Sequence, residues 1–537
     1  MLKILENYKW LILIVLFGAV LRFGALSQMP PSLNWDEISH GYNAYSILKT
    51  GHDEWGQFLP IANFRAYGDY PLPLNLYLTI PFEVIFGLNP LAIRLPHALL
   101  GTLTIIPVYF LTQGLIKNKK ISLFAALLTA IDPWFLFPSR AVFQSNLSVF
   151  FLIAGMAAFF YCEKKKWLMP ISFLFLGLTL FSYHSTRIFL PIFLFALVFV
   201  FRKYKYLVLS ALGVGLILLP NAAARANVVF ILDQGAVNQI ENLRNNSNSP
   251  FKKLIYNKVT YLTVKFGQNY INYFSPNFLF LKGGTQYQFS VPDKGLLYLV
   301  SSPFFYIGIL FVFLEARKRE DRNYKLVLIW LLLAPIPAAI TQDQSAVIRA
   351  TTMLPIPEIL VSIGLYEVFR RIHKYEAMLS AIFVFISLLS LENYLNVYAK
   401  DYRINYSWAW QYGYEQIVNY SKINYSKYDN IIVSKAYGEP HEYFLFYLNY
   451  DPAKYINDSN LIRFHQSNWY WVDRFDKFWF VNDWQVKDLV TESKHKIDCA
   501  AKKCLLITTP NNSPKGFVKI DEVRFLDGRV AFEIYRN

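Results

Sequence analysis

Apolar runs of membrane-spanning length alternate with short basic stretches from residue 10 to residue 393, and there the alternation stops. A helix rises about 1.5 Å per residue, so about 20 apolar residues cross a hydrocarbon core of about 30 Å. The pattern predicts eleven spans, at approximately 10–26, 91–116, 121–137, 141–162, 168–184, 187–201, 206–222, 296–314, 326–343, 353–369 and 377–393. The run 73–87 differs. It is about fifteen residues, roughly 22 Å of helix, and Asn75, Pro81 and Glu83 interrupt it. A helix lying at the outer membrane surface is expected there. The fold class is therefore a polytopic α-helical membrane protein.

Two long polar loops remain inside this half, at 27–90 and 223–295, and residues 394–537 form a separate soluble domain. In that domain the pattern predicts helices at 408–420 and 439–448, and strands at 430–434, 478–481, 504–508 and 530–535. Such an order of elements makes an α/β or α+β domain. The organisation is a membrane domain over 1–393 and an extracytoplasmic domain over 394–537.

Charge fixes the expected sidedness. The net charge of +16 would suggest a nucleic-acid partner in a soluble protein. Here the cations cluster between spans, at Lys117/Lys119/Lys120, Lys164 to Lys166, Arg202/Lys203/Lys205, Arg317/Lys318/Arg319 and Arg370/Arg371/Lys374. That is the signature of cytoplasmic loops. It implies a multi-pass protein of the cytoplasmic (inner) membrane, with a cytoplasmic N-terminus, an outer first loop and no nucleic-acid partner. The first segment, with no convincing cleavage site behind it, is read as a retained span. Composition agrees: 54% of the 537 residues are hydrophobic and 17% charged, against about a quarter charged in soluble domains. Three cysteines exclude a disulfide-rich scaffold. Cys499 and Cys504 flank a short Ala-Ala-Lys-Lys turn in the outer domain, and a disulfide is expected between them.

Candidate chemistry gathers at the outer span ends. The first loop holds the adjacent acids Asp36 and Glu37, then Arg65 and Asp69. Adjacent carboxylates repel, which pushes at least one pKa upward. Arg94, Arg140, His184, Arg187 and Arg349 sit at successive outer turns. With the acids they could line one cavity, cations for a lipid phosphate and a carboxylate to take a proton from an incoming hydroxyl. Plainer roles stand beside these. An Arg at a span end also serves as a headgroup anchor. Asn34 to Glu37 also fits a helix N-terminus, with Asn34 as cap, Glu37 three positions on, and Ile38, Tyr42, Tyr45 and Leu48 as the apolar stripe. No cofactor is called for. A divalent metal stays open, since Asp36 and His40 lie four apart on one helix face, but two ligands are not a site.

Several motifs resemble one known group. Trp35-Asp36-Glu37, Gly41-Tyr42-Asn43-Ala44-Tyr45, Gly68-Asp69-Tyr70-Pro71-Leu72, Arg94-Leu95-Pro96, Pro138-Ser139-Arg140 and Tyr183-His184-Ser185-Thr186-Arg187 occur in that order. Together they resemble the protein O-mannosyltransferase and lipid A aminoarabinose transferase superfamily of GT-C glycosyltransferases. The resemblance covers about residues 10–390. It implies a GT-C fold and a polyprenyl-phosphate-linked sugar as donor, undecaprenyl phosphate in a bacterium. It also implies inverting transfer on the outer face to a protein, lipid or glycan acceptor, with Asp36 as the base. Two departures stand out. Pro71-Leu72-Pro73 comes after Tyr70 where the family often has a Lys, so Arg65, Arg187 or Arg349 would supply that charge. The family's acid a few residues after Ser-Arg is absent from 141–146. Two other classes remain open: a lipid-linked oligosaccharide flippase or other transporter, and an inactive relative that binds glycan through Trp469, Tyr470 and Trp471.

Overall fold

The computed structural model describes residues 2–200, 231–232, 234–318, 322–466, 469–489 and 497–537. The expected span at 206–222 and the Arg202/Lys203/Lys205 cluster lie outside the described residues, as does Arg319. The chain divides into two compact units, one of residues 1–24 with 97–395 and one of residues 25–96 with 396–537.

The first unit is helical. Its helices include Leu2–Phe23, Ile105–Ile116, Lys119–Ile131, Gln144–Tyr161, Leu168–Leu180, His184–Val200, Ser302–Lys318, Arg322–Leu333, Ile356–Arg371 and Glu376–Val397. Four helical stretches among the described residues are long and apolar enough to cross a membrane: Pro90–Ile116, Gln144–Tyr161, Leu299–Lys318 and His373–Asn405. A fifth counts if Lys119–Ile131 and Pro133–Arg140, bent by 59° at Asp132-Pro133, form one broken span. The other predicted spans in the described residues are helical too: Leu2–Phe23 is a 22-residue helix that carries several charges, and the rest are shorter or interrupted. On Glu376–Val397 the side chains of Met378, Ile382, Phe385 and Leu389 point outward, exposed. An apolar surface of this kind is stable against lipid and costly in water. The chain is a polytopic membrane protein.

Small residues set one close helix contact in this unit. Ser302–Lys318 and Ile356–Arg371 cross at Gly308 and Gly364. A Cβ on either would lie 2.0 Å from a carbonyl oxygen of the facing helix, Leu360 in one case and Phe304 in the other. Lipid gives apolar side chains no reason to leave it, so close backbone packing of this kind holds membrane helices together.

The second unit is built on a mixed sheet of seven strands: β1 Asn430–Ser434, β2 Ile462–Gln466, β3 Trp469–Phe475, β4 Phe478–Val481, β5 Cys504–Thr508, β6 Val518–Arg524 and β7 Val530–Arg536. Their order is β2-β3-β4-β1-β5-β7-β6. β1 runs parallel to β4 and β5, and the outer pairings are antiparallel. The three central strands read Asn-Ile-Ile-Val-Ser, Phe-Trp-Phe-Val and Cys-Leu-Leu-Ile-Thr and are buried throughout. Continuous apolar runs are what a strand covered on both faces requires. On one face the helix Pro440–Tyr447 sets Phe444 against Phe478 and Phe480, at ring distances of 4.9 and 5.7 Å. Cys499 and Cys504 are bonded, with 5.6 Å between their Cα atoms.

Residues 25–96 belong to this unit too. The helix Trp35–Thr50 is buried at Ile38 and Tyr42 but also at Ser39, His40, Asn43 and Ser46. Tyr45 and Leu48 are only half-buried. The buried face is therefore wider than the stripe that spacing predicts, because helix Pro440–Tyr447 and neighbouring segments cover its polar side. Tyr42 donates to the carbonyl of Tyr450 at 3.1 Å. The predicted surface helix is present as Leu74–Phe86.

Candidate functional site

Local structure separates the two acids of the first loop. Asn34 caps the helix Trp35–Thr50: its side chain accepts from the Glu37 amide at 2.9 Å. The Glu37 carboxylate accepts from the Asn34 amide in return, at 3.2 Å. Glu37 is fully buried and faces Arg94, whose Nε and Nη2 reach its two oxygens at 2.8 Å each. The remaining Arg94 donors go to the carbonyls of Leu26, Pro30 and Ser32. A guanidinium has five N–H donors, and here all five are engaged inside the fold. Arg94 was expected to bind phosphate; instead it is a buried clamp with no donor left over. Glu37 likewise belongs to the cap and the ion pair, not to the reacting groups.

Asp36, one residue earlier, is half-buried and turned elsewhere. Its Oδ1 accepts a 2.5 Å hydrogen bond from the Tyr67 hydroxyl. Burial and then the charge of Asp36 push the Tyr67 phenol well above its usual range, so it stays a donor. His40 sits one turn on, its Nδ1 2.6 Å from the Asp36 carbonyl. Burial holds that imidazole below its usual range, against the pull of Asp36, Asp69 and Glu37. Nδ1 is thus a donor to backbone.

Tyr67 lies in the turn at 66–69, against strand β3. Its ring stacks on Trp469 at 5.5 Å. Gly68 permits this approach, since a Cβ there would lie 2.2 Å from the indole of Trp469. Asp69 closes the turn, accepting from the Tyr70 amide at 2.8 Å and exchanging backbone bonds with Ala66. Arg65 lies over the rings of Tyr470 and Trp55, at 4.4 and 5.1 Å. Trp469 and Tyr470, candidates for stacking on sugar, are thereby part of the packing around Tyr67 and Arg65.

In the helical unit Arg140 is buried and donates to the carbonyls of Leu21, Arg22 and Gly24. It caps the end of Leu2–Phe23, where unpaired carbonyls collect. This too departs from the expected phosphate role. Arg22, which the pattern did not single out, is fully buried and donates to the carbonyls of Gly18, Thr129 and Ala130. His184 opens the helix His184–Val200, and Arg187 on its first turn donates to the Leu180 carbonyl at 3.0 Å. Arg349 pairs with Asp343 at 2.9 Å, both partly exposed.

One cluster escaped sequence reasoning. Glu54, His441 and Glu442 are the group of three metal-capable side chains found among the described residues, and all three are buried. Burial works to raise the Glu54 carboxyl, but His441, Glu442 and Arg463 together hold it below its usual range. Burial, then the charge of Glu54, pushes Glu442 well up. Residues so far apart in the chain offer no sequence spacing to read. The run Glu439-Pro440-His441-Glu442 was the one available signal.

Known proteins show the same architecture. A family model described as dolichyl-phosphate-mannose-protein mannosyltransferase matches residues 12–243, under half of the chain. ArnT from Cupriavidus metallidurans, solved bound to undecaprenyl phosphate, aligns over 98% of both chains with a TM-score of 0.56 and 12% identity. The chain has the GT-C fold. An oligosaccharyltransferase from Archaeoglobus fulgidus, in a complex with Zn and sulfate, also resembles this chain in fold. It aligns over 81% of this chain and 61% of its own, with a TM-score of 0.51 and 15% identity. AglB from the same organism, in complex with an inhibitory peptide and a dolichol-phosphate, gives a TM-score of 0.49 and 15% identity over 82% of this chain. The chain spans 64% of AglB's length. No curated protein matches it in sequence.

Proposed function

We propose that this GT-C protein moves a sugar from a polyprenyl-phosphate donor to an acceptor hydroxyl on the extracytoplasmic face, inverting at the anomeric carbon, with Asp36 as general base. The carrying observation is the split between the two acids. Glu37 is committed to Arg94 and the helix cap, while Asp36 stays half-buried with Tyr67 fixing one of its oxygens. The Asp36 carboxylate accepts the acceptor's proton as the acceptor oxygen bonds to the anomeric carbon. The bond from that carbon to the lipid phosphate breaks at the same time, and the phosphate leaves with the electron pair. A phosphate leaving group needs cations rather than an acid. Arg65, in the same unit as Asp36, is the group assigned to it. The mannosyl-phospholipid family match and the likeness to ArnT with its undecaprenyl phosphate support a lipid-phosphate donor.

Asp36→Asn keeps shape and removes basicity. General-base assistance is worth about 10²–10⁴ in rate, so the variant loses at least about a hundredfold in kcat with donor KM little changed. The assay offers purified protein a panel of polyprenyl-phosphate sugars and tracks labelled product. Turnover near the wild-type rate by folded Asp36→Asn removes Asp36 from the role and brings Asp69 forward.

A further inference from the structure

The cluster at Glu54 is unusual for what it lacks. Glu54, Glu439, His441 and Glu442 are each no more than 2% exposed. Among the described residues, four atoms in it have no hydrogen-bond partner: Glu54 Oε2, Glu442 Oε2, Glu439 Oε2 and His441 Nδ1; Glu54 Oε1 accepts a long bond from the Tyr455 hydroxyl at 3.4 Å. Buried carboxylates almost always find donors or a cation, because an unpaired ion in a low-dielectric interior is several kcal/mol unfavourable. The nearby cations are engaged otherwise. Arg463 donates to the Glu54 backbone carbonyl at 3.2 Å and lies over Trp55, and Lys435 pairs with Asp473.

Spacing distinguishes a cation from a direct hydrogen bond. His441 Nε2 lies 3.4 Å from Glu54 Oε1 and 3.9 Å from Glu442 Oε1. A charge-assisted hydrogen bond would close to about 2.7–2.9 Å. Ligands about 2.0–2.2 Å from a tetrahedral ion lie roughly 3.4 Å from one another. The three ligand atoms all fall within 4.8 Å of each other, so one ion reaches all three after a small closure. The second nitrogen of the ring faces Glu439 Oε2 at 3.6 Å, while the other Glu439 oxygen accepts from the Trp469 indole at 2.6 Å. A metal-bound imidazole is commonly oriented by a carboxylate on its far nitrogen, a role Glu439 takes only by closing this gap to hydrogen-bond distance.

We propose that Glu54, His441 and Glu442 bind one divalent transition-metal cation of the zinc class, with Glu439 beside the far nitrogen of the imidazole. One nitrogen and two carboxylate oxygens suit zinc or manganese better than calcium or magnesium, which take oxygen ligands. The ion joins a first-loop segment to the helix Pro440–Tyr447 of the C-terminal sheet. It also steadies the Asp36 helix, since the Glu54 amide donates to Asn43 Oδ1 at 2.9 Å and Glu442 is hydrogen-bonded to Ser39. The site is distinct from Asp36 and stands whether or not the transfer reaction does.

The test uses full-length protein purified without chelators, and elemental mass spectrometry counts the bound metal. Wild type carries about one zinc or manganese per chain. Asp36→Asn keeps it, and His441→Ala drops to under about a fifth of an equivalent. Stripping wild type with dipicolinate lowers the melting temperature, and added zinc chloride restores it while magnesium chloride does not. If His441→Ala fails to fold, the isosteric Glu442→Gln and the wild-type strip-and-restore melt decide the question. Wild type with no bound metal and no zinc-dependent melting shift overturns the site, as does a His441→Ala protein that retains its metal.

Discussion

Removing Arg94 should cost stability rather than donor affinity. Arg94→Met keeps the apolar stem and deletes the guanidinium, leaving the Glu37 carboxylate buried without its ion-pair partner. Breaking a buried ion pair from one side typically costs about 3–5 kcal/mol, because the surviving charge is left uncompensated. Three carbonyls, of Leu26, Pro30 and Ser32, lose this donor at the same time. For a unit of roughly 210 residues, each kcal/mol moves the midpoint by roughly 2–4 °C, so the expected loss is about 6–20 °C. Adding Glu37→Gln removes the stranded charge while preserving an acceptor for the Asn34 amide. The double variant should therefore be less destabilised than the sum of the singles, by roughly 1–3 kcal/mol. The assay is a thermal melt in detergent of the four proteins of the cycle, paired with donor titration on those that fold. A melt within about 2 °C of wild type combined with a tenfold rise in donor KM would refute the clamp and return Arg94 to the phosphate site.

Gly68→Ala places a Cβ 2.2 Å from the Trp469 indole. It should cost about 1–3 kcal/mol by overpacking, read as a lowered melting midpoint. Without reduction, Cys499 and Cys504 should resist alkylation, and Cys499→Ser should lower stability by about 2 kcal/mol or less, since the loop it closes is short. Two alkylated thiols in that segment of unreduced protein would contradict the bond. A cysteine introduced at position 63 should react with an impermeant thiol reagent on intact cells and one at position 119 should not; labelling at 119 would reverse the sidedness drawn from the Lys/Arg distribution.

Much of this architecture is legible because apolar runs have one physical use. β1, β4 and β5 fall where the sequence places them, since a strand buried on both faces must be apolar at nearly every position. β2 and β6 are hidden: Ile462–Gln466 and Val518–Arg524 lie at the sheet edges, half-exposed and mixed with charge. β3, read for its aromatics, is a strand whose Trp469 and Tyr470 pack under the first loop. At the site, the Asn34–Glu37 cap is evident from spacing alone. The roles of Arg94 and Arg140 are not, because each guanidinium is held largely by backbone carbonyls, and every residue carries one. Only the fold says which carbonyls converge. Glu54 and His441 illustrate the same limit over a longer separation.

Residues 25–96 fold with residues 396–537, and about 300 residues of chain come between them. At about 5–20 residues per second of synthesis, the first loop leaves the ribosome at least roughly 15–60 s before its partner sheet is complete. During that interval Ile38, Tyr42, Phe64 and Leu76, all fully buried in the finished protein, have no sheet domain to cover them. Membrane insertion of the helices thus precedes completion of the Asp36 helix environment. A chain truncated after the last membrane helix would contain every residue assigned to the reaction and still leave that helix without Tyr450, Phe446 and Glu442 around it. The penalty for losing the C-terminus would be paid at the other end of the polypeptide, as proteolysis and aggregation of a loop made first and finished last.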